Sequence, residues 1–196
     1  MLPYAAIAAA AVVLLALLLR RRKLDSQRIK TLVVLGSGGH TAEMLRLITD
    51  FDFGRYTPLT LVTAATDTTS RAKAERELPR EALATARWAE IPRAREVGQS
   101  FGSSVPSTLK ALFACVHLIW TASPDLVLVN GPGTCVPVAV LARLFGSRVI
   151  FAESWCRVST LSLTGCIMYW VAHRFVVHWP ELVDRYPRAE YLGRIC

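Results

Sequence analysis

The stretch Lys30-Thr31-Leu32-Val33-Val34-Leu35-Gly36-Ser37-Gly38-Gly39-His40-Thr41-Ala42-Glu43 joins an apolar, β-branched run to a segment of helical period through a cluster of glycines. A strand that passes straight into a helix through such a turn is the opening of a β-α unit. Glycines there let the backbone turn tightly and bring its N–H groups, with the positive end of the helix dipole, against an anion. The loop is therefore expected to cradle a phosphate or diphosphate. A dinucleotide fingerprint would place a third glycine where Thr41 stands, which disfavours a nicotinamide-dependent reductase. His40 sits at the helix start, where the dipole favours a neutral ring able to take a proton beside the bound anion.

The same alternation continues outward. Lys30–Leu35, Leu59–Ala64, Arg87–Ile91, Asp125–Val129, Arg148–Ala152 and Arg174–Val177 read as strands. Thr41–Thr49, Ser70–Glu77, Ser107–Thr121, Cys135–Phe145, Thr160–Ala172 and a short segment opened by Pro180 read as helices. Strands apolar on both faces between helices predict an α/β, doubly wound parallel sheet with a Rossmann-like arrangement. Ligands of such sheets lie at the carboxyl ends of the strands. Two further strand ends carry chemistry there. Asn130-Gly131-Pro132-Gly133-Thr134 leads into a helix and offers a second set of N–H donors, although a plain Gly-Pro turn has the same sequence. Glu153 ends another strand, where it is placed to meet sugar hydroxyls or act as a base, and Arg157 just beyond it is placed to hold a phosphate or pair with Glu153. Pro92–Pro106, rich in Ser, Gly and Arg, reads as a loop over the site.

At the amino end every residue from Ala5 to Leu19 is apolar, and Arg20-Arg21-Arg22-Lys23 stops the run. About 18 residues of helix span about 27 Å, enough for a thin bilayer. Because the positive charges follow the run, residues 2–19 read as an anchor and not as a cleaved signal, with 20–29 a basic linker and 30–196 a domain on the cytosolic side. Arg20–Lys30 holds six basic residues and one acid, so it supplies most of the net charge of +8. That distribution speaks for membrane topology and against a nucleic-acid groove. The five cysteines show neither paired nor metal-ligand spacing, so no disulfide framework, metal or cofactor is implied. The single asparagine, Asn130, lies outside any glycosylation sequon.

The anchor, Val34–Thr41, Ile91–Val97, Asn130–Pro137, Glu153-Ser154-x-Cys156-Arg157-Val158 and the ending Tyr191-Leu192-Gly193-Arg194-Ile195 closely resemble one family over nearly the whole chain. It is the membrane-anchoring subunit of the UDP-N-acetylglucosamine transferase that adds the second sugar to dolichol-linked oligosaccharide. The resemblance implies the N-terminal, acceptor-side half of a GT-B glycosyltransferase at the endoplasmic reticulum membrane. The donor half, which binds UDP-N-acetylglucosamine, would be a separate soluble cytosolic chain, and the acceptor dolichyl diphosphate N-acetylglucosamine. Gly36, Ser37, Gly38, Gly39 and Thr41, with Gly131, Gly133, Thr134 and Arg157, would hold the acceptor diphosphate. His40 and Glu153 would be the catalytic candidates. Tyr191, Leu192, Gly193, Arg194 and Ile195 would dock the partner, unless the tail is simply a last strand on its own sheet. Other readings left by the residues are a pure membrane scaffold without a site group, or a subunit of a related polysaccharide transferase.

Overall fold

Leu32 and Val34 face one side of the first strand while Val33 and Leu35 face the other, and all four are buried, as a strand covered on both faces requires. The computed structural model describes residues 27–92 and 105–193, with backbone alone for 105–112. Among these residues seven strands form one sheet: β1 (Thr31–Val34), β2 (Leu59–Ala64), β3 (Arg87–Ile91), β4 (Leu126–Asn130), β5 (Arg148–Ala152), β6 (Arg174–Val177) and β7 (Ala189–Tyr191). Their order is β3-β2-β1-β4-β5-β6-β7 and every pairing is parallel. From β1 the chain steps through β2 to β3 on one side, then returns to place β4 against the other edge of β1. That reversal opens a crevice between the loops that follow β1 and β4.

The helices are α1 (Gly39–Ile48), α2 (Ser70–Glu77), α3 (Arg80–Thr85), α4 (Val105–Ala122), α5 (Cys135–Leu144), α6 (Leu163–Val171) and α7 (Glu181–Arg185). Met44, Leu45 and Ile48 of α1, Ala74 of α2 and Ala82 of α3 pack on Val33, Leu35, Leu61 and Leu128. On the other face Cys115 and Ile119 of α4, Val138 and Ala139 of α5, Met168 of α6 and Leu182 of α7 pack on Leu32, Val34, Val127, Val129, Phe151 and Phe175. The rings of Phe151 and Phe175 stack with centroids 5.1 Å apart, which ties β5 to β6 within this layer.

The doubly wound α/β sheet expected from the sequence is present, with differences at element ends. α1 starts at Gly39, two residues before the expected Thr41, because positive φ is needed at Gly38 and nowhere later in the turn. α6 starts at Leu163 and not at Thr160, since the Ser162 hydroxyl accepts the Gly165 N–H and caps it. α3, a short helix after Pro79, has too little apolar period to be seen in the sequence. The tail supplies β7, paired to β6 in the register Val176↔Glu190 and braced by an Arg174–Glu190 ion pair. The predicted anchor 2–19, most of the basic linker, residues 93–104 of the predicted loop, and Arg194 and Ile195 lie outside the described residues. Among the described residues no helix is long and apolar enough to cross a membrane.

Two histidines tie this sheet to pH. Burial pushes the His178 ring, only 3% exposed, below the usual histidine range, although the charge of Glu43 and the Glu153 carbonyl oppose it. Burial lowers His173 too, with the charges of Arg143 and Arg148 adding to it, and its Nδ1 accepts the Val149 N–H at 3.0 Å. That nitrogen cannot accept once protonated. With folded values depressed, the unfolded chain takes up protons first as pH falls below about 6.5, the ordinary histidine value. Stability is therefore full above that pH and declines beneath it. The urea midpoint of the detergent-solubilised chain is expected to fall between about pH 7.5 and about pH 5.5, and His178→Gln to flatten part of that fall. A midpoint independent of pH over this range contradicts the assignment.

Candidate functional site

The glycine loop leaves β1 at Leu35 and enters α1 through Gly38, whose φ is +67°. No side chain caps α1, so its first N–H groups are open, and Ser37, Gly38 and Gly39 are exposed around them. Behind the loop the Thr41 hydroxyl is fully buried and meets the Ser70 hydroxyl, which lies 3.1 Å from the Gly36 carbonyl and 2.5 Å from the Asp67 carboxylate. Ser70 has one proton, and the shorter contact with a charged acceptor claims it. Burial pushes the Asp67 carboxyl up, but donors from Ser70 and Thr69 outweigh it and hold it below the usual range. Thr41 thus braces the loop from within through its side chain. From α2, Lys73 reaches over with its Nζ 3.3 Å from the Gly38 carbonyl and places a positive charge beside the open N–H groups.

The loop after β4 has a structural part to play as well, and two of its N–H groups are engaged within it. The Cys135 and Val136 N–H groups already bond to the carbonyls of Pro132 and Gly133, at 3.0 and 3.2 Å. Gly133 and Thr134 open α5 without a side-chain cap. Gly131, with φ +65°, makes room for a ring: a Cβ there would lie 2.2 Å from His40 Nδ1. Gly36 does the same from below, since a Cβ on it would lie 2.7 Å from both His40 Cβ and Pro132 Cδ. Two glycines on neighbouring strands therefore seat His40 between them.

Around that ring the structure gathers polar groups from four elements. His40 Nδ1 is buried and has no hydrogen-bond partner among the described residues, yet Glu43 Oε2 stands 3.5 Å away, one helical turn on. Glu43 accepts the Ser154 hydroxyl at 2.8 Å and lies 3.4 Å from Asn130 Nδ2. Asn130, 2% exposed, donates to the His40 carbonyl at 2.8 Å, and its Oδ1 is a buried acceptor without a partner among the described residues. Burial raises the Glu43 carboxyl, but the neighbouring His40 imidazole and the hydrogen bond from Ser154 outweigh it, so it is held below the usual range. A small cleft floored by Met44, Leu47 and Ala152 carries Glu43, Asn130, Glu153 and His178 on its walls.

Glu153 reaches this crevice from beneath. Only 1% exposed, it accepts the N–H groups of Ser154 and Ser162, each at 2.9 Å, and the Ser162 hydroxyl at 3.1 Å. Gly165 is needed there, because a Cβ on it would come within 2.0 Å of Glu153 Oε2. In this geometry Glu153 clamps the start of α6. Arg157 is exposed and forms no ion pair among the described residues, so the expected alternative of an Arg157–Glu153 pair is not what holds the acid. Tyr191 and Leu192 are 42% and 52% exposed at the sheet edge. Glu43, Asn130 and Lys73 were missed as site residues, and only the spacing of Glu43 three residues after His40 carried a readable signal.

Fold and site define a Rossmann-like α/β domain with an uncapped helix end and a seated histidine at its topological switch point. The chain belongs to the family described as "Oligosaccharide biosynthesis protein Alg14 like", whose pattern matches residues 31–195. It is 44% identical over 182 residues to the rat UDP-N-acetylglucosamine transferase subunit ALG14, covering 86% of this chain and 84% of the relative. It is 42% identical over 183 residues to the human protein of that name, with the same coverage. Among solved structures it is similar in fold to MurG of Acinetobacter baumannii, with a TM-score of 0.58 and 19% identity over 76% of this chain. The chain spans 41% of the length of that structure.

The seating of His40 sets an order among the glycines. Gly131→Ala is expected to displace the ring and cost about 1–3 kcal/mol of stability, seen as a lower thermal midpoint and altered His40 ring resonances. Gly39→Ala meets nothing within 4 Å and should leave both unchanged. Equal effects from the two substitutions contradict the seating.

Proposed function

We propose that this chain is the acceptor-side, membrane-anchoring subunit of the UDP-N-acetylglucosaminyltransferase that adds the second N-acetylglucosamine to dolichyl diphosphate N-acetylglucosamine in protein N-glycosylation. The observation that carries the reading is the uncapped end of α1 beside His40, on a chain whose relatives are named as subunits of that transferase. The relatives are named as subunits, which supports a separate, soluble chain for the donor sugar nucleotide. The open N–H groups of α1 and Lys73 suit the acceptor diphosphate. His40 takes the proton of the attacking sugar hydroxyl as its oxygen bonds the anomeric carbon and UDP departs with the pair of electrons of the broken bond. The apolar run 2–19 and the basic residues after it suit a single span of the endoplasmic reticulum membrane with the domain on the cytosolic face.

The test is transfer by the full chain with its co-purified partner, supplied with UDP-N-acetylglucosamine and a dolichyl diphosphate N-acetylglucosamine acceptor. Product should form, and His40→Gln should lower kcat by about 10²- to 10⁴-fold with the partner still bound. Full activity in that variant reduces the chain to a scaffold, and transfer only to another lipid-linked acceptor assigns it to polysaccharide synthesis. On sealed microsomes external protease should reach the domain. Deleting Leu192–Cys196 should release the partner while β7 and the protease resistance of the domain persist, because a few exposed apolar anchors dominate an interface. Partner retained by the truncated chain excludes the tail as its docking site.

A further inference from the structure

We propose that Glu43 is a positioning residue for His40, fixing the ring with its proton on Nδ1 so that Nε2 presents a lone pair to the acceptor hydroxyl. The inference rests on the proposed role of His40 as the base. A neutral imidazole has one donor and one acceptor nitrogen, and the partner of one decides the task of the other. Nδ1 is the buried nitrogen, pressed over Gly131, while the side chain as a whole is 35% exposed. The exposure therefore falls on the remainder of the ring, where Nε2 lies. The acceptor near Nδ1 is Glu43 Oε2 at 3.5 Å, longer than a formed hydrogen bond and of the kind that tightens when substrate arrives.

Glu43 is itself aimed. Ser154, after β5, donates to one carboxylate oxygen, and Asn130, at the end of β4, lies by the other while also donating to the His40 carbonyl. His178, after β6, lines the same cleft, and burial pushes its ring below the usual histidine range. Among the described residues the carboxylate beside His40 is thus aimed from the ends of β4 and β5, and a carboxylate-imidazole pair results within one helical turn. A merely structural Glu43 would tie α1 to the sheet equally well without reference to the His40 tautomer, and the two roles separate by experiment.

The experiment is a double-substitution cycle on the full chain in complex with its partner, with ¹⁵N-histidine spectra of the same samples. Glu43→Gln keeps the shape and removes the charge. It should lower kcat by about 10- to 100-fold, part of the effect of a positioned base, leave both KM values within about twofold of the parent, and convert the His40 spectrum from the Nδ1–H tautomer to a mixture. In the His40→Gln background the same change should cost nothing further. Should Glu43→Gln not fold, Glu43→Asp, which draws the charge back by one methylene, reads the same coupling with a smaller loss. A Glu43→Gln chain of unaltered kcat, an unaltered tautomer, or an equal loss in the His40→Gln background overturns the proposal. If His40→Gln alone is fully active, the base assignment fails first, and that outcome is distinguishable from the others.

Discussion

β1 lies between β2 and β4, and that pairing is the constraint on which the rest of the molecule depends. The register Thr31↔Leu59 on one side and Thr31↔Leu126 on the other brings the ends of β1 and β4 level. Helices joining strands to the left of β1 must lie on one face of the sheet and those joining strands to the right on the other, since the crossovers are right-handed. The loops after β1 and β4 therefore have no helix between them. They close on each other through backbone, and only glycine at 36 and 131 lets them do so with a histidine in the gap.

Two acids stand within this crevice, and the structure gives them opposite jobs. Glu153 is buried beneath the loop, with three donors, the Ser154 N–H and the Ser162 N–H and hydroxyl, on its two oxygens. Removing such a buried, satisfied carboxylate leaves donors stranded at a cost of about 1–3 kcal/mol each, so it reads as a clamp on the loop and the start of α6. Glu43 accepts the Ser154 hydroxyl and stands 3.5 Å from His40 Nδ1, which has no hydrogen-bond partner among the described residues. Of the two, Glu43 is the carboxylate that stands beside the His40 ring. Lys73 completes the electrostatics from the other side, placing a cation where the α1 dipole already favours an anion.

The edge of the sheet carries the remaining functional surface. β7 adds the last strand and leaves Tyr191 and Leu192 exposed, alongside Trp170, 69% exposed on α6 and within 5.6 Å of the Arg188 guanidinium. Parallel edge strands are seldom left bare. β7 itself is three residues long, and the exposed apolar side chains next to it leave this edge open among the described residues.

What the amino-acid sequence determined by itself was the class of fold, the places of six strands, and the loop that carries His40. Each of these rests on local information: apolar runs of strand length, helical period, and glycines at a strand-to-helix turn. The basic cluster after an apolar run is equally local, and it carries the membrane expectation without help from the fold. The partners of His40 were not legible, because Glu43, Asn130 and Ser154 meet only when α1, β4 and β5 are laid side by side, across as many as 111 residues of chain. Nor could sequence separate Glu153 from Glu43. One lies within α1 and the other just after β5, and the difference is that backbone N–H groups converge on Glu153 while side chains meet Glu43, a property of tertiary packing alone. Gly131 shows the same division: a Gly-Pro turn by sequence, it becomes the floor beneath a ring supplied from 91 positions earlier, since only the assembled sheet brings His40 within 2.2 Å of where its Cβ would stand.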